Sequence, residues 1–238
     1  MNVQVLRPRG AGRFVIVCDH ASNWVPPELG DLGLEPAELA RHIAWDIGAA
    51  GVAAELSRLV DSPAVMSAAS RLVVDCNRHL TAADLIPERS DGTAVPGNLN
   101  LTAEARAGRI ERWFTPYHAA VESILDERGT PPIVLSIHSM TPSLAGSARP
   151  WQIAISSHGD RSLADPVLAA LRRPGDIVVG DNQPYDLDPA VDYSIPFHAM
   201  RRTLRHLQVE FRQDEIAVPA AQIAWAQRFS EALTAALP

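Results

Sequence analysis

Two short stretches put metal-competent side chains directly after apolar runs. Phe14-Val-Ile-Val-Cys-Asp19-His20 ends in a carboxylate and an imidazole, and Ile133-Val-Leu-Ser-Ile-His138-Ser139 ends in a second imidazole. A third, Leu207-Gln-Val-Glu210-Phe-Arg212, carries a carboxylate inside an apolar strand. If the three strands share a sheet, two imidazoles and a carboxylate meet at one edge. Neutral imidazole and carboxylate oxygen suit Zn2+, and other divalent metals accept the same donors.

A third ligand has two candidates. Asn23 lies three residues beyond His20, but an amide is a weak ligand. Asp46, in His42-Ile-Ala-Trp-Asp46-Ile-Gly, is a carboxylate in an apolar stretch that reads as helical. Aspartate rarely sits there without a partner, so the chemistry favours Asp46. A surface ion pair with an arginine is its competing reading.

Glu210 lies between Val209 and Phe211. A buried carboxylate needs a partner or takes a raised pKa. Beside an activated water it is a general base. The competing reading is an edge-strand glutamate paired with Arg212. Arg71 and the Asn77-Arg78 pair flank an apolar run, and arginine binds carboxylates through a fixed fork of donors. Tyr185 stands in a loop, a further substrate-binding candidate. Asp19 and Ser139 adjoin the two histidines, and His118 is a supporting histidine or a core one.

Composition narrows the chemistry. In 238 residues the net charge is −7, which excludes nucleic acid as the main partner but not a small carboxylate substrate. All 21 basic residues are arginine, which removes any lysine-dependent mechanism. Cys18 and Cys76 sit in apolar runs and read as buried thiols rather than a disulfide. With no apolar leader and no membrane-length apolar run, the chain reads as one cytoplasmic domain over residues 1–238 with no membrane partner. There is no GxSxG, GxGxxG, P-loop or HExxH motif.

Strands and helices alternate, which predicts an α/β fold: three layers, with a mixed, mostly parallel central sheet and helices on both faces. Expected strands run over 13–19, 64–68, 71–75, 132–137, 151–157, 176–179 and 207–211. Expected helices run over 35–59, from 101 to 129 with a bend near Pro116, 162–173, 197–204 and 218–237. In the last, Ile223, Trp225, Phe229 and Leu233 are expected to face inward. Two long loops, 77–99 and 183–196, follow strand ends, where open α/β sheets bind ligands. His198 and His206, near the last strand, are candidates to buttress Glu210, and Asp181 is another strand-end residue.

The motifs Asp19-His20-Ala-Ser-Asn-Trp-Val-Pro, His42-Ile-Ala-Trp-Asp46, Ser70-Arg71-Leu-Val-Val-Asp75-Cys-Asn77-Arg78, Ser136-Ile-His138-Ser139 and Gln208-Val-Glu210-Phe-Arg212-Gln213-Asp214 together resemble the N-formylglutamate amidohydrolase family. The resemblance implies a fold similar to the zinc carboxypeptidases and succinylglutamate desuccinylases, a phosphorylase/hydrolase-like architecture. It implies that His20 and His138 are metal ligands, Glu210 the catalytic glutamate and Arg71 with Asn77-Arg78 the transition-state and substrate-carboxylate groups. That wider fold has a glutamate where Asn23 stands, which again turns the third ligand towards Asp46. The implied reaction is metal-dependent hydrolysis of an N-acyl (N-formyl) amide of an acidic amino acid such as N-formylglutamate, and the resemblance bears on the reaction class more than on the formyl group. The alternatives are a carboxypeptidase or amidase on peptide or cell-wall fragments, and a metal-free module that binds acidic ligands.

Overall fold

The computed structural model describes residues 2–237. Seven strands form one sheet: β1 (Val3–Leu6), β2 (Phe14–Cys18), β3 (Ala64–Ser67), β4 (Ile133–Met140), β5 (Ile153–Ser156), β6 (Val179–Asp181) and β7 (His206–Arg212). Their order across the sheet is β1-β3-β2-β4-β7-β5-β6. Of the six neighbour pairings, β1 with β3 and β7 with β5 are antiparallel and the other four are parallel. The α/β class and the mixed, mostly parallel sheet are as the alternation of elements predicts.

Seven α-helices accompany the sheet among the described residues: α1 (Pro36–Leu39), α2 (Ala49–Leu59), α3 (Ala103–Arg109), α4 (Thr115–Asp126), α5 (Ala164–Arg172), α6 (Ser194–His198) and α7 (Pro219–Ala236). Strand side chains alternate between faces, and the core follows that period. Phe14, Ile16, Leu135, Ile137, Leu207, Val209 and Phe211 pack with α2, α5 and α7. Val15, Val17 and Val134 pack with Tyr117 and Val121 of α4 and Ile195 of α6. Each fully buried Leu, Ile or Phe in these layers contributes roughly 1.5–3 kcal/mol. A separate cluster, including Leu32, Ile43, Leu72, Val73, Leu85 and Trp113, gives the long loops a core of their own.

The single helix expected over 35–59 is two helices. α1 ends at Leu39, and 40–48 is irregular because other segments capture its backbone. The Ala44 carbonyl accepts from the Arg71 amide and the Ser70 hydroxyl, and the Asp46 amide donates to the His20 carbonyl. Gly48 then opens α2 in a left-handed conformation, where a Cβ would strike the Ile216 carbonyl. The strand expected over 71–75 is a series of turns. The Ser70 hydroxyl accepts from the Leu72 amide and Asp75 Oδ1 from the Asn77 amide, which satisfies backbone groups that a ladder would otherwise take.

The strand expected over 176–179 instead covers Val179–Asp181. Near Pro116 the α3–α4 segment contains a wider-wound turn, Ile110–Phe114, rather than a break. Ile223 is 50% exposed, whereas Phe229 and Leu233 are buried. β1, an edge strand absent from the sequence reading, pairs with β3.

Candidate metal centre and cleft

β2, β4 and β7 are parallel neighbours, so their carboxyl ends share one edge of the sheet. Val17 is in register with Ser136, and Glu210 with His138. Ser136, His138, Gln208 and Glu210 therefore point away from the layer of α2, α5 and α7. His20 lies two residues past β2, and its ring centroid is 5.1 Å from that of His138. Asp46 reaches the same point from the irregular segment before α2. Its Oδ2 lies 3.4 Å from His20 Nδ1 and 3.0 Å from His138 Nδ1, and accepts from the Ser139 amide at 3.2 Å. One donor atom from each of His20, Asp46 and His138 lies within 4.8 Å of the others, and all three residues are buried.

The other nitrogen of each imidazole is held as well. His20 Nε2 is 2.7 Å from Asp75 Oδ1. His138 Nε2 is 2.9 Å from Ser136 Oγ and 3.3 Å from Asp19 Oδ2. Asp19 in turn accepts from the Tyr117 hydroxyl at 2.8 Å and from the Ser194 hydroxyl. Carboxylates behind the outer nitrogens orient both rings and leave each Nδ1 facing Asp46. Two imidazoles and one carboxylate, oriented in this way and accessible from a cleft, fit a divalent metal with a coordination position to spare.

The electrostatics run against burial. Desolvation by itself would raise the Asp46 and Asp75 carboxyls. The neighbouring His20 and His138, and Arg71 beside Asp75, outweigh it and hold both carboxyls below the usual range. Burial would lower the two imidazoles, yet the facing carboxylates raise both. Glu210 behaves differently. Burial pushes its carboxyl up to about 7, against the pull of His138 and with the help of the Asp46 charge. Glu210 is 6% exposed, and its carboxylate forms no ion pair or hydrogen bond among the described residues. Arg212 pairs with Asp214 and Glu215, which removes the edge-strand reading of Glu210.

A cleft of about 370 Å³ opens onto these groups, and its lining includes Arg71, Asn77, Arg78, Arg149 and Tyr185. Arg71 is bound to Asp75 through Nε at 2.9 Å and Nη2 at 2.7 Å, and its Nη1 stands 3.6 Å from Asp46 Oδ1. Arg78 pairs with Asp84 at 2.8 Å. The Asn77 side chain is largely committed to the fold. Its amide donates to Asp192 and its carbonyl accepts from the Tyr193 and Ser194 amides.

Five residues singled out in the sequence fall elsewhere. Asn23 is outside the cleft lining and donates to the Leu39 carbonyl. His118 bonds His198 and the Cys76 carbonyl; Tyr117, its neighbour, is the residue that reaches Asp19. His198 is thus taken by His118, and His206 begins β7 at the end away from Glu210 with Nδ1 on the Leu204 carbonyl. Asp181 pairs with Arg161.

Two residues of the site, Asp75 behind His20 and Arg149 in the cleft lining, escaped the sequence reading. Asp75 was legible only as the end of a strand, although an aspartate closing an apolar run is the same signal that marked Asp19. Arg149 sits in a loop of small residues and prolines, and nothing in its local spacing marks it.

The family model for N-formylglutamate amidohydrolase matches residues 12–217. Among solved structures, a gene product from Agrobacterium tumefaciens is similar at TM-score 0.95 and 35% identity, with 99% of this chain and 94% of that chain covered. The N-formylglutamate amidohydrolase from Ralstonia eutropha JMP134 is similar at TM-score 0.67 and 19% identity, covering 98% of this chain and 95% of its own, which is a likeness of fold. No curated protein matches the sequence.

Proposed function

The chain belongs to the N-formylglutamate amidohydrolase family, and from that premise we propose a metal-dependent amidohydrolase, one domain over residues 1–238, that cleaves the N-formyl amide of an acidic amino acid such as N-formylglutamate. The observation that carries the metal dependence is the convergence of His20 Nδ1 and His138 Nδ1 on one oxygen of Asp46, with Glu210 beside His138 in the parallel register. His20, Asp46 and His138 would hold the ion, and zinc suits the donors. When bound, such an ion supplies Lewis acidity and lowers the pKa of water.

The remaining steps belong to the chain's own side chains. Glu210, with a carboxyl raised towards neutrality, takes a proton from the attacking water and returns it to the leaving amine nitrogen. Arg71 is anchored by Asp75 with its Nη1 towards Asp46, so an N–H is available for the carbonyl oxygen as negative charge develops there. Arg78 offers the guanidinium for a substrate carboxylate. Asn77 contributes indirectly, since its side chain ties the Arg78 segment to Asp192 and the start of α6. The cleft volume of about 370 Å³ suits an acylated amino acid better than a cell-wall fragment.

A hydrolysis screen tests the reading. N-formyl-, N-acetyl- and N-succinyl-glutamate are incubated with the protein, with and without a chelator. Formate release that the chelator abolishes is the expected result. If amine appears in no lane, the amidohydrolase reading falls. If the chelator changes nothing, the metal does.

A further inference from the structure

Buried arginines in this protein have two kinds of environment. Arg109 is 5% exposed and its guanidinium is closed off by the Val73 and Gly97 carbonyls and Asn98 Oδ1. It is a clamp across loops and is not part of the lining of the cleft. Arg149 is 8% exposed and lines the cleft. Its Nη1 donates to Thr141 Oγ1 at 3.1 Å, with the Thr141 carbonyl at 3.5 Å, and its Nη2 donates to the Tyr185 hydroxyl at 2.6 Å. Its guanidinium carbon stands 4.9 Å from the Tyr185 ring centroid. Among the described residues no carboxylate comes within ion-pair distance of it, unlike Arg71 with Asp75 and Arg78 with Asp84.

A desolvated cation without a counter-ion is costly. Three oxygens offset that cost at Arg109 away from this cleft, whereas at Arg149 the cleft allows a ligand to supply the charge. The hydrogen bonding around Arg149 has the same polarity. The Tyr185 oxygen accepts from Nη2, so its own O–H is free to donate outward. Arg149 and Tyr185 thus present N–H and O–H donors together, which is the complement of a carboxylate.

The position is also fixed. The Arg149 carbonyl accepts from Arg212 Nη1, and Arg212 lies two residues beyond Glu210 on β7. Two strand residues span about 7 Å, so this pair of donors sits outward of the base along the cleft. The same cleft holds Arg78 on a different segment. We propose that Arg149 and Tyr185 form a second carboxylate subsite, which receives the side-chain carboxylate of the substrate while Arg78 receives the other carboxylate. The inference builds on the amidohydrolase reading, and makes the enzyme selective for a dicarboxylate.

Binding separates the two ideas. Glutarate and its uncharged-end counterpart glutaramate are titrated calorimetrically into the metal-loaded protein, the Arg149→Met and Arg149→Lys variants and Tyr185→Phe. Wild type binds glutarate at least tenfold more tightly than glutaramate. Arg149→Met removes that preference, and Arg149→Lys restores part of it, because a point charge replaces a fork. Tyr185→Phe, which deletes one hydroxyl and keeps the ring, weakens glutarate about threefold to tenfold and glutaramate less. Equal losses for both ligands in Arg149→Met and Tyr185→Phe would overturn the subsite, as would a wild type without preference. If the glutarate preference is present and depends on Arg149 while no N-acyl amino acid is hydrolysed, the subsite stands and the deformylase reading fails.

Discussion

The protein contains two pairs of buried histidines with nearly the same spacing and opposite chemistry. His20 and His138 have ring centroids 5.1 Å apart, and so do His118 and His198. Around the first pair stand Asp19, Asp46 and Asp75, each within 3.4 Å of a ring nitrogen. Around the second stand aromatic rings, including Phe114, Tyr193 and Phe197. There one imidazole bonds the other at 2.8 Å, and His198 Nδ1 has no partner. Burial without carboxylates pushes His118 down to about 4 and His198 to about 3, while carboxylates raise His20 and His138. Two close histidines alone do not form a donor set that fits a metal; in the first pair, the carboxylate between them and those behind them complete one that could hold an ion.

The sharpest way to break this contrast is to remove the central carboxylate. Asp46→Asn is expected to lose bound metal and all hydrolysis, whereas His118→Gln keeps the wild-type metal content, as measured by elemental analysis of the dialysed proteins. Equal metal loss in both would end the distinction. Glu210→Gln is expected to keep the metal and lose roughly 10³-fold in kcat, since it touches the proton transfer and not the donors; near-normal turnover would remove Glu210 from the base role. Asp75→Asn keeps the shape of the support behind His20 but weakens its basicity and orientation. Metal affinity is expected to fall about 10–100-fold, read by competition with a chelating dye.

The smallest effect is on stability against pH, and it differs in sign between the pairs. His118 and His198 are depressed in the folded state, so below an unfolded value of about 6.5 the unfolded chain binds more protons, and stability rises with pH up to that point. His20 and His138 are raised, so their contribution is complete below about 6.5 and is lost as pH rises through their folded values. Glu210 adds to the decline up to about 7. The metal-free protein is therefore expected to show its highest Tm in the weakly acidic range and to lose stability towards alkaline pH, by calorimetry in a buffer series. A Tm that climbs steadily to about pH 9 would contradict the carboxylate environment of the first pair.

The sequence showed the inner site more clearly than the wall around it. His20, His138 and Glu210 each follow or interrupt an apolar run, and it is their recurrence on three such runs, rather than any one polar strand end, that carried the signal. Asp46 was legible as a carboxylate in apolar company, but in the wrong element, since a helix over 35–59 and the observed turns bury the same apolar residues. His118 was indistinguishable by type from a supporting histidine, because nothing local reports which nitrogen faces a carbonyl and which a second ring. Arg149 gave no signal at all; its meaning comes from Tyr185, which lies 36 residues away and joins it only through the fold.

The residue order alone determined the α/β class, the three polar-ended strands and the family, because strand alternation and motif spacing are properties of neighbouring residues. Tertiary structure decided which carboxylate completes the cluster, which histidine pair is electrostatically suited to a metal, and that Arg149 lines the cleft without a counter-ion. Those depend on charges brought together from distant segments in a medium of low polarity, where an approach of a few ångströms outweighs the intrinsic preference of any single side chain.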